Sequence, residues 1–307
     1  MDTLFQQLIN GLVQGSIYAL VALGYTMVYG IMGLINFAHG EVVMIGTLVA
    51  ITVISTLTAM GVPVGAAGLA GVVAAILVCM ALGWWLERVA YRPLRHAPRL
   101  TPLITAIGMS IVLQNLAMII WGRNYRTFPP LMEIQTFEVA GASFTNVQVM
   151  IVLVSAAMMA GLLFLIFRTK LGMAMRATSQ NPQVASLMGV NINRVIASAF
   201  VVGSALGAVA GVMVGNYYEV AHYQMGSMLG LKAFTAAVLG GIGNIAGAMA
   251  GGVLLGIIEA LGAGYIGDLT NGFLGSNYQD IFAFIVLIGV LMFRPSGLLG
   301  EKTGDRA

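Results

Sequence analysis

The chain of 307 residues is 59% hydrophobic and 8% charged, with a mean hydropathy of +0.94, whereas soluble domains carry about 25% charged residues. This composition excludes a soluble globular protein. It predicts a bundle of close-packed transmembrane helices, in which the 40 glycines let helix backbones approach one another. The formal net charge of +3 does not indicate nucleic acid as a partner, because the basic residues cluster between apolar stretches.

Eight apolar stretches are long enough to cross a bilayer, which takes about 20 residues. The stretches cover residues 8–33, 40–60, 64–86, 101–121, 147–167, 195–217, 229–262 and 279–293. The stretch at 229–262 is too long for one straight helix, so nine spans result if it makes two crossings. The sequence therefore predicts an all-α polytopic membrane protein with about eight, or nine, transmembrane helices, in which residues 1–307 form a single transmembrane domain.

Two interruptions of these stretches are candidates for a solute path. The first, at 31–41, contains Asn36, His39 and Glu41, and the second, at 240–244, contains Gly240, Gly241, Gly243 and Asn244. Irregular backbone at membrane depth is tolerated only where protein or a water-filled cavity surrounds it, and paired broken segments in transporters mark the substrate site. We therefore expect both re-entrant or broken segments to line or support the path. A tight interhelical turn at the membrane surface is the alternative.

The basic residues predict which segments face the cytoplasm. Eleven of the fourteen Lys and Arg lie in 87–100, 168–194 and 294–307. They are Arg88, Arg92, Arg95, Arg99, Arg168, Lys170, Arg176, Arg194, Arg294, Lys302 and Arg306. Under the positive-inside rule these three segments are cytoplasmic, and the connection at 122–146 is external. Counting three spans back from 87–100 places the N-terminus outside.

The cytoplasmic segment at 168–194 contains a short helix with its own start and stop signals. Asn181 is a favoured N-cap, Pro182 suits the first helical position, and Gly189 suits the left-handed residue after the end. The predicted helix at 182–188 is about 10 Å long at 1.5 Å per residue, so it cannot cross a bilayer. Its apolar side chains are Val184, Leu187 and Met188. This pattern favours a docking helix for a cytoplasmic partner, or a helix that rests on lipid or on its own bundle.

Several stretches carry a resemblance to a known family. Residues 176–189 match the pattern R-A-x-x-x-N-x-x-x-A-x-x-x-G through Arg176, Ala177, Asn181, Ala185 and Gly189. Together with INFAHGEVVMIG (35–46), LKAFTAAVLGGIGNIAGAMAGG (231–252) and FRPSGLLG (293–300), this pattern resembles the branched-chain amino acid permeases of ABC importers, specifically the LivH-type subunit. The glutamate of the general EAA-x-x-x-G importer loop is absent, since Gln183 and Val184 stand before Ala185.

The resemblance implies a permease of the bacterial inner membrane, in contact with membrane lipid, for leucine, isoleucine and valine. A second, LivM-like permease chain would complete the path, two ABC ATPase subunits would dock underneath, and a periplasmic binding protein would deliver the substrate. The short helix would be the coupling helix. Its expected ATPase contacts are Arg176, Ala177, Asn181, Val184, Ala185, Leu187, Met188 and Gly189.

No catalytic chemistry is evident in the sequence. It contains no G-x-x-x-x-G-K-[ST] phosphate loop, so ATP hydrolysis is expected on a partner, and neither a metal site nor a cofactor is indicated. Charged residues in or near the spans are functional candidates or interhelical structural partners; they are Glu41, Glu219, Lys232 and Glu259. Glu41, Glu219 and Glu259 keep open the alternative of an ion-coupled secondary transporter, or a channel, for urea or another amino acid.

Overall fold

The computed structural model describes residues 2–95, 97, 98, 100–139, 141–269 and 279–300. Within these residues the chain forms eleven α-helices and two small antiparallel sheets of two strands each. The basic residues Arg99, Lys302 and Arg306, for which a cytoplasmic position is predicted, lie outside the described residues.

The helices are arranged along the chain as the hydropathy predicts, with additional short elements in the connections. The helices are α1 (Asp2–Met32), α2 (His39–Ala59), α3 (Val64–Leu86), α4 (Leu100–Trp121), α5 (Asn146–Arg168), α6 (Lys170–Gln180), α7 (Pro182–Leu187), α8 (Ile192–Tyr218), α9 (Met225–Gly240), α10 (Ile245–Leu269) and α11 (Gln279–Phe293). The strands are β1 (Arg126–Thr127), β2 (Thr136–Val139), β3 (Ala142–Thr145) and β4 (Val220–Ala221). Helix α3 continues through a π-helical turn at Glu87–Tyr91 and a 3₁₀ turn at Arg92–Leu94.

Seven helices in the described part of the chain are long and apolar enough to cross a membrane, namely α1 to α5, α8 and α10. Helix α9 and the Phe284–Phe293 part of α11 are shorter apolar helices. This architecture confirms the prediction of an all-α polytopic membrane protein. The long stretch at 229–262 divides into α9 and α10, as its glycine-rich interruption predicted.

Helix α1 is the centre of the bundle and packs backbone to backbone against α10. A Cβ atom added to Gly15 would lie 2.7 Å from the Val253 Cα atom, and one added to Gly11 would lie 2.6 Å from the Ile257 Cα atom. Glycine is therefore required at both positions, because even a methyl group would collide with the neighbouring backbone. The surrounding residues of α1 are fully enclosed, including Leu20, Val21 and Leu23.

Hydrogen bonds at the two ends of the bundle agree with the predicted topology. At one end, Gln6 Nε2 donates to the Ser143 carbonyl at 2.9 Å, and β1 pairs with β4. At the other end, Arg95 Nη1 donates to Asn193 Oδ1 at 2.6 Å. The N-terminal end of α1 thus lies beside the connection predicted to be external, and two of the basic segments predicted to be cytoplasmic lie together.

The outer helices α3, α4 and α5 present apolar side chains to the outside of the bundle. Leu77, Ile119 and Leu153 are examples that are well exposed in the chain. In water such a surface would be unfavourable, whereas lipid tails are as apolar as these side chains. These faces are therefore the natural contact with the hydrocarbon of the bilayer.

Introduced cysteines should report the predicted topology in intact cells. Glu138→Cys in the β2–β3 hairpin should react with an impermeant thiol reagent added from outside, whereas Ser179→Cys in α6 should react only after the membrane is permeabilised. Both positions are exposed, and the native Cys79 is fully buried against the Val42 carbonyl, so it needs no replacement. Labelling of Ser179→Cys in intact spheroplasts would contradict the topology.

Candidate functional site

The first interruption returns the chain to the interior of the bundle. After α1 ends at Met32, residues 33–38 turn back, and α2 begins at His39, which packs against Gly24 of α1 and Gly207 of α8. Gly24 lies eight residues before the end of α1, or roughly 12 Å at 1.5 Å per residue. Helix α2 therefore starts inside the bundle rather than at its surface, as expected of a re-entrant segment.

The polar residues of this interruption are buried within protein. Asn36 Oδ1 accepts hydrogen bonds from the Tyr91 hydroxyl at 2.8 Å and from the Ala38 amide at 3.1 Å. The His39 ring packs edge-on against Tyr25, with 5.1 Å between the ring centroids. Glu41 Oε1 accepts from the Ser110 hydroxyl at 3.1 Å. These side chains support the irregular backbone, which needs polar partners at this depth.

Residues 240–244 are a tight interhelical turn at the end of the bundle predicted to be cytoplasmic. Gly241 and Gly243 have φ values of +106° and +98°, a conformation that favours glycine. Asn244 Nδ2 donates to the Leu299 carbonyl at 2.8 Å, so the segment after α11 covers the turn. This placement at one end of the bundle favours a turn near the membrane surface, and the expectation that the segment lines or supports the solute path stays a prediction.

Two of the charged residues singled out in the sequence form an ion-pair cluster between helices. Lys232 Nζ on α9 lies 3.1 Å from Glu259 Oε2 on α10 and 2.7 Å from Asp280 Oδ1 on α11. The Tyr18 hydroxyl on α1 donates to Glu259 Oε2 at 2.8 Å. The sequence indicated Lys232 and Glu259 because charges within spans are costly. Nothing in the sequence identified Tyr18 and Asp280 as their partners.

The other two charged candidates lie apart from this cluster. Glu219 follows α8 at the end predicted to be external, with φ of +56°, and its carbonyl accepts from the Phe128 amide at 2.9 Å. Glu41 lies beside Gly226 of α9 and has its own partner in Ser110. The acidic residues therefore do not form one continuous relay within the described part of the chain.

A cavity of about 240 Å³ adjoins the ion-pair cluster between α1, α8 and α9. Its polar lining includes Gln14, Tyr18, Tyr218 and Lys232. Gln14 Nε2 donates to the Tyr218 hydroxyl at 3.0 Å. At the end of the cavity predicted to be external, the Tyr125 and His222 rings stack with 4.4 Å between centroids. Nothing in the sequence indicated this cavity, which only the tertiary packing creates.

The short helix α7 has the caps that the sequence predicts. Asn181 Oδ1 accepts from the amides of Gln183 and Val184, both at 3.0 Å. Helix α7 ends at Leu187, and Gly189 has φ of +86°. Upstream, the Ala177 carbonyl accepts from the Asn181 amide at 3.1 Å, and the Arg176 guanidinium lies 5.3 Å from the centre of the Phe167 ring.

The exposure of α7 determines which residues a partner can reach. Leu187 and Met188 are 86% and 81% exposed, and Val184 is 53% exposed. Ala185 is only 4% exposed within the chain itself. The expectation that Ala185 makes a partner contact does not fit this burial, because its methyl group faces the rest of the chain. The accessible apolar surface consists of Val184, Leu187 and Met188.

Comparisons with known proteins cover almost the whole chain. Residues 7–291 match the family described as the permease component of branched-chain amino acid transport systems. The permease protein BraD of the high-affinity branched-chain amino acid transport system of Pseudomonas aeruginosa is 49% identical, over 98% of this chain and 97% of its own. The corresponding LivH of Escherichia coli K12 is 48% identical over the same shares. A probable LivH of Methanocaldococcus jannaschii is 26% identical, over 95% of this chain and 91% of its own.

The ion-pair cluster should behave as one energetic unit. Lys232→Met leaves Glu259 and Asp280 without their cation, and removal of one partner from a buried pair costs about 3–5 kcal/mol. The double variant Lys232→Met/Glu259→Gln removes one of the two stranded charges and should recover part of that loss. The free energy of unfolding in detergent micelles measures both. Losses that simply add in the double variant would show that the two side chains do not interact.

Proposed function

Because the chain belongs to the family of permease components of branched-chain amino acid transport systems, we propose that it carries leucine, isoleucine and valine across the bacterial inner membrane. It is a transport subunit and not an enzyme, and ATP hydrolysis lies with partner ATPases. The observation that carries the proposal is the identity of 48–49% to two such permeases over 98% of the chain. The matched residues cover both the helix bundle and the segment at 168–194.

We propose that the chain works with a second, LivM-like permease, two ABC ATPase subunits and a periplasmic binding protein. Helix α7 supports the ATPase contact, since it is too short to cross the membrane and presents Leu187 and Met188 almost fully exposed. Exposed apolar patches of this kind mark interaction sites. Val184 extends the apolar surface formed by Leu187 and Met188. The residues that hold and orient this surface are then Arg176, Ala177, Asn181 and Gly189.

We further propose that Asn36, His39 and Glu41 support the solute path from within the bundle. Their burial and their contacts with α1, α3 and α4 favour a supporting role over direct contact with the solute. In this proposal the turn between α9 and α10 supports the cytoplasmic end of the path, where it contacts Tyr29 and Gly30 near the end of α1. The residues of this turn are Gly240, Gly241, Gly243 and Asn244.

Reconstitution tests the transport function. Proteoliposomes with all subunits, ATP and the binding protein should accumulate labelled leucine, and excess isoleucine or valine should compete whereas urea should not. Liposomes with this chain alone should neither accumulate leucine nor hydrolyse ATP. Leucine accumulation by the chain alone would instead support a self-sufficient secondary transporter, and competition by urea would identify a different substrate class.

The exposed face of α7 should determine ATPase attachment. Leu187→Glu places a charge in the proposed apolar contact, so ATPase co-purification and substrate-stimulated hydrolysis should both fall at least about tenfold, the equivalent of roughly 1.4 kcal/mol. Leu187→Met is the matched control, because it keeps an apolar side chain of similar volume. Equal ATPase recovery with Leu187→Glu and Leu187→Met would return α7 to a helix that rests on lipid.

A further inference from the structure

The cavity between α1, α8 and α9 is far larger than a packing defect. Its volume of about 240 Å³ compares with the roughly 10–15 Å³ that a single water needs. The rest of the lining is largely aliphatic and includes Ile17, Val214, Met225, Met228 and Leu229. Ligand pockets typically combine such an apolar wall with a few polar groups that set orientation.

The ion-pair cluster beside the cavity carries an unbalanced set of charges, and two of its members, Tyr18 and Lys232, line the cavity. Lys232 is the cation of the cluster, and it faces two carboxylates, Glu259 and Asp280, which lie next to it and outside the lining. Within the described residues the cluster therefore holds one more carboxylate than ammonium group. A ligand with an ammonium group would balance the surplus, and the low polarity of the surroundings strengthens that attraction.

Lys232 also has one weakly used donor. Its Nζ atom lies 3.1 Å from Glu259 and 2.7 Å from Asp280, but 3.4 Å from the Tyr18 hydroxyl, whose proton already goes to Glu259. The contact from Lys232 to Tyr18 is therefore the longest of the three, beyond the usual hydrogen-bond range of about 2.7–3.2 Å. Because Lys232 and Tyr18 both line the cavity, a ligand carboxylate can accept from this weakly used donor without breaking either ion pair.

We propose that this cavity binds an α-amino acid zwitterion with an aliphatic side chain. The carboxylate lies at Lys232, the ammonium group lies near the surplus carboxylate charge, and the side chain lies against Met225, Met228 and Leu229. The stacked Tyr125 and His222 rings and the β1–β4 pair border its external mouth. This inference rests on the proposed transport function and adds to it a site within this chain.

Saturation-transfer NMR tests the site. The sample is the full-length chain, purified with the subunits that accompany it and without the binding protein. The probes are L-leucine, 4-methylpentanoate (which lacks the ammonium group), 3-methylbutylamine (which lacks the carboxylate) and urea. L-leucine should give the strongest transfer, and each singly charged analogue should bind roughly tenfold more weakly, the effect of one lost charged hydrogen bond. Equal transfer to leucine and both analogues would overturn the zwitterion assignment.

Two matched variants locate the binding. Met228→Trp should fill the cavity and abolish transfer to leucine. Met228 lines the cavity but is exposed and not part of the buried core, so the larger side chain should not disturb the core packing. Leu153→Trp is the matched control, because it introduces tryptophan on the outer face of α5, away from the cavity, and it should leave transfer unchanged. Transfer that survives Met228→Trp would overturn the site.

A charge variant gives a further readout. Asp280→Asn removes the surplus carboxylate, so the preference for leucine over 4-methylpentanoate should shrink several-fold, while an unchanged preference would contradict the role of the charge. ATP-driven leucine uptake by the wild-type proteoliposomes is measured in parallel. Uptake without cavity binding would overturn this site alone, whereas absence of uptake would overturn the proposed transport function.

Discussion

Direct backbone contact between α1 and α10 is the constraint on which the rest of the bundle depends. Gly11 and Gly15 of α1 meet Gly256 and its neighbours on α10 so closely that a Cβ atom has no room. In a bilayer the hydrophobic effect does not drive helices together, and van der Waals contact through small residues takes its place. The glycine content of the chain therefore has a specific structural purpose along this contact.

This contact also aligns the polar groups. Gly11 faces Ile257 and Gly15 faces Val253, so α1 and α10 run antiparallel, and the long side chains of Tyr18 and Glu259 meet across this contact with a hydrogen bond of 2.8 Å. Helix α9 folds back from α10 through residues 240–244 and delivers Lys232 to the same point. The cavity between α1, α8 and α9 opens beside this cluster, and the re-entrant start of α2 is held against α1 and α8 by Gly24 and Gly207. Close glycine packing and buried charge are thus parts of one arrangement.

Much of this architecture could be predicted from the sequence, because hydropathy, basic clusters and helix caps are local properties. Asn181 and Gly189 determine the ends of α7 through their own backbone and side-chain preferences. The place of 240–244 at one end of the bundle could not be predicted, since a glycine-rich break has the same composition at the surface as at depth. Ala185 was misjudged because a small side chain on a one-turn helix does not reveal which face is covered. Asp280 and Tyr18 could not be recognised as partners of Lys232 and Glu259 from the sequence, because the four residues lie on four different helices.

The most direct measurement compares two glycine-to-alanine variants by their free energy of unfolding in micelles. Gly256 faces the backbone of Gly11 and Gly15, whereas Gly161 on α5 has open space around it. We expect Gly256→Ala to cost about 1–3 kcal/mol or more, as overpacking does, and Gly161→Ala to be neutral or to stabilise by about 0.5–1 kcal/mol, because alanine is the better helix former. Equal stability of the two variants would contradict the dependence of the bundle on α1–α10 backbone contact.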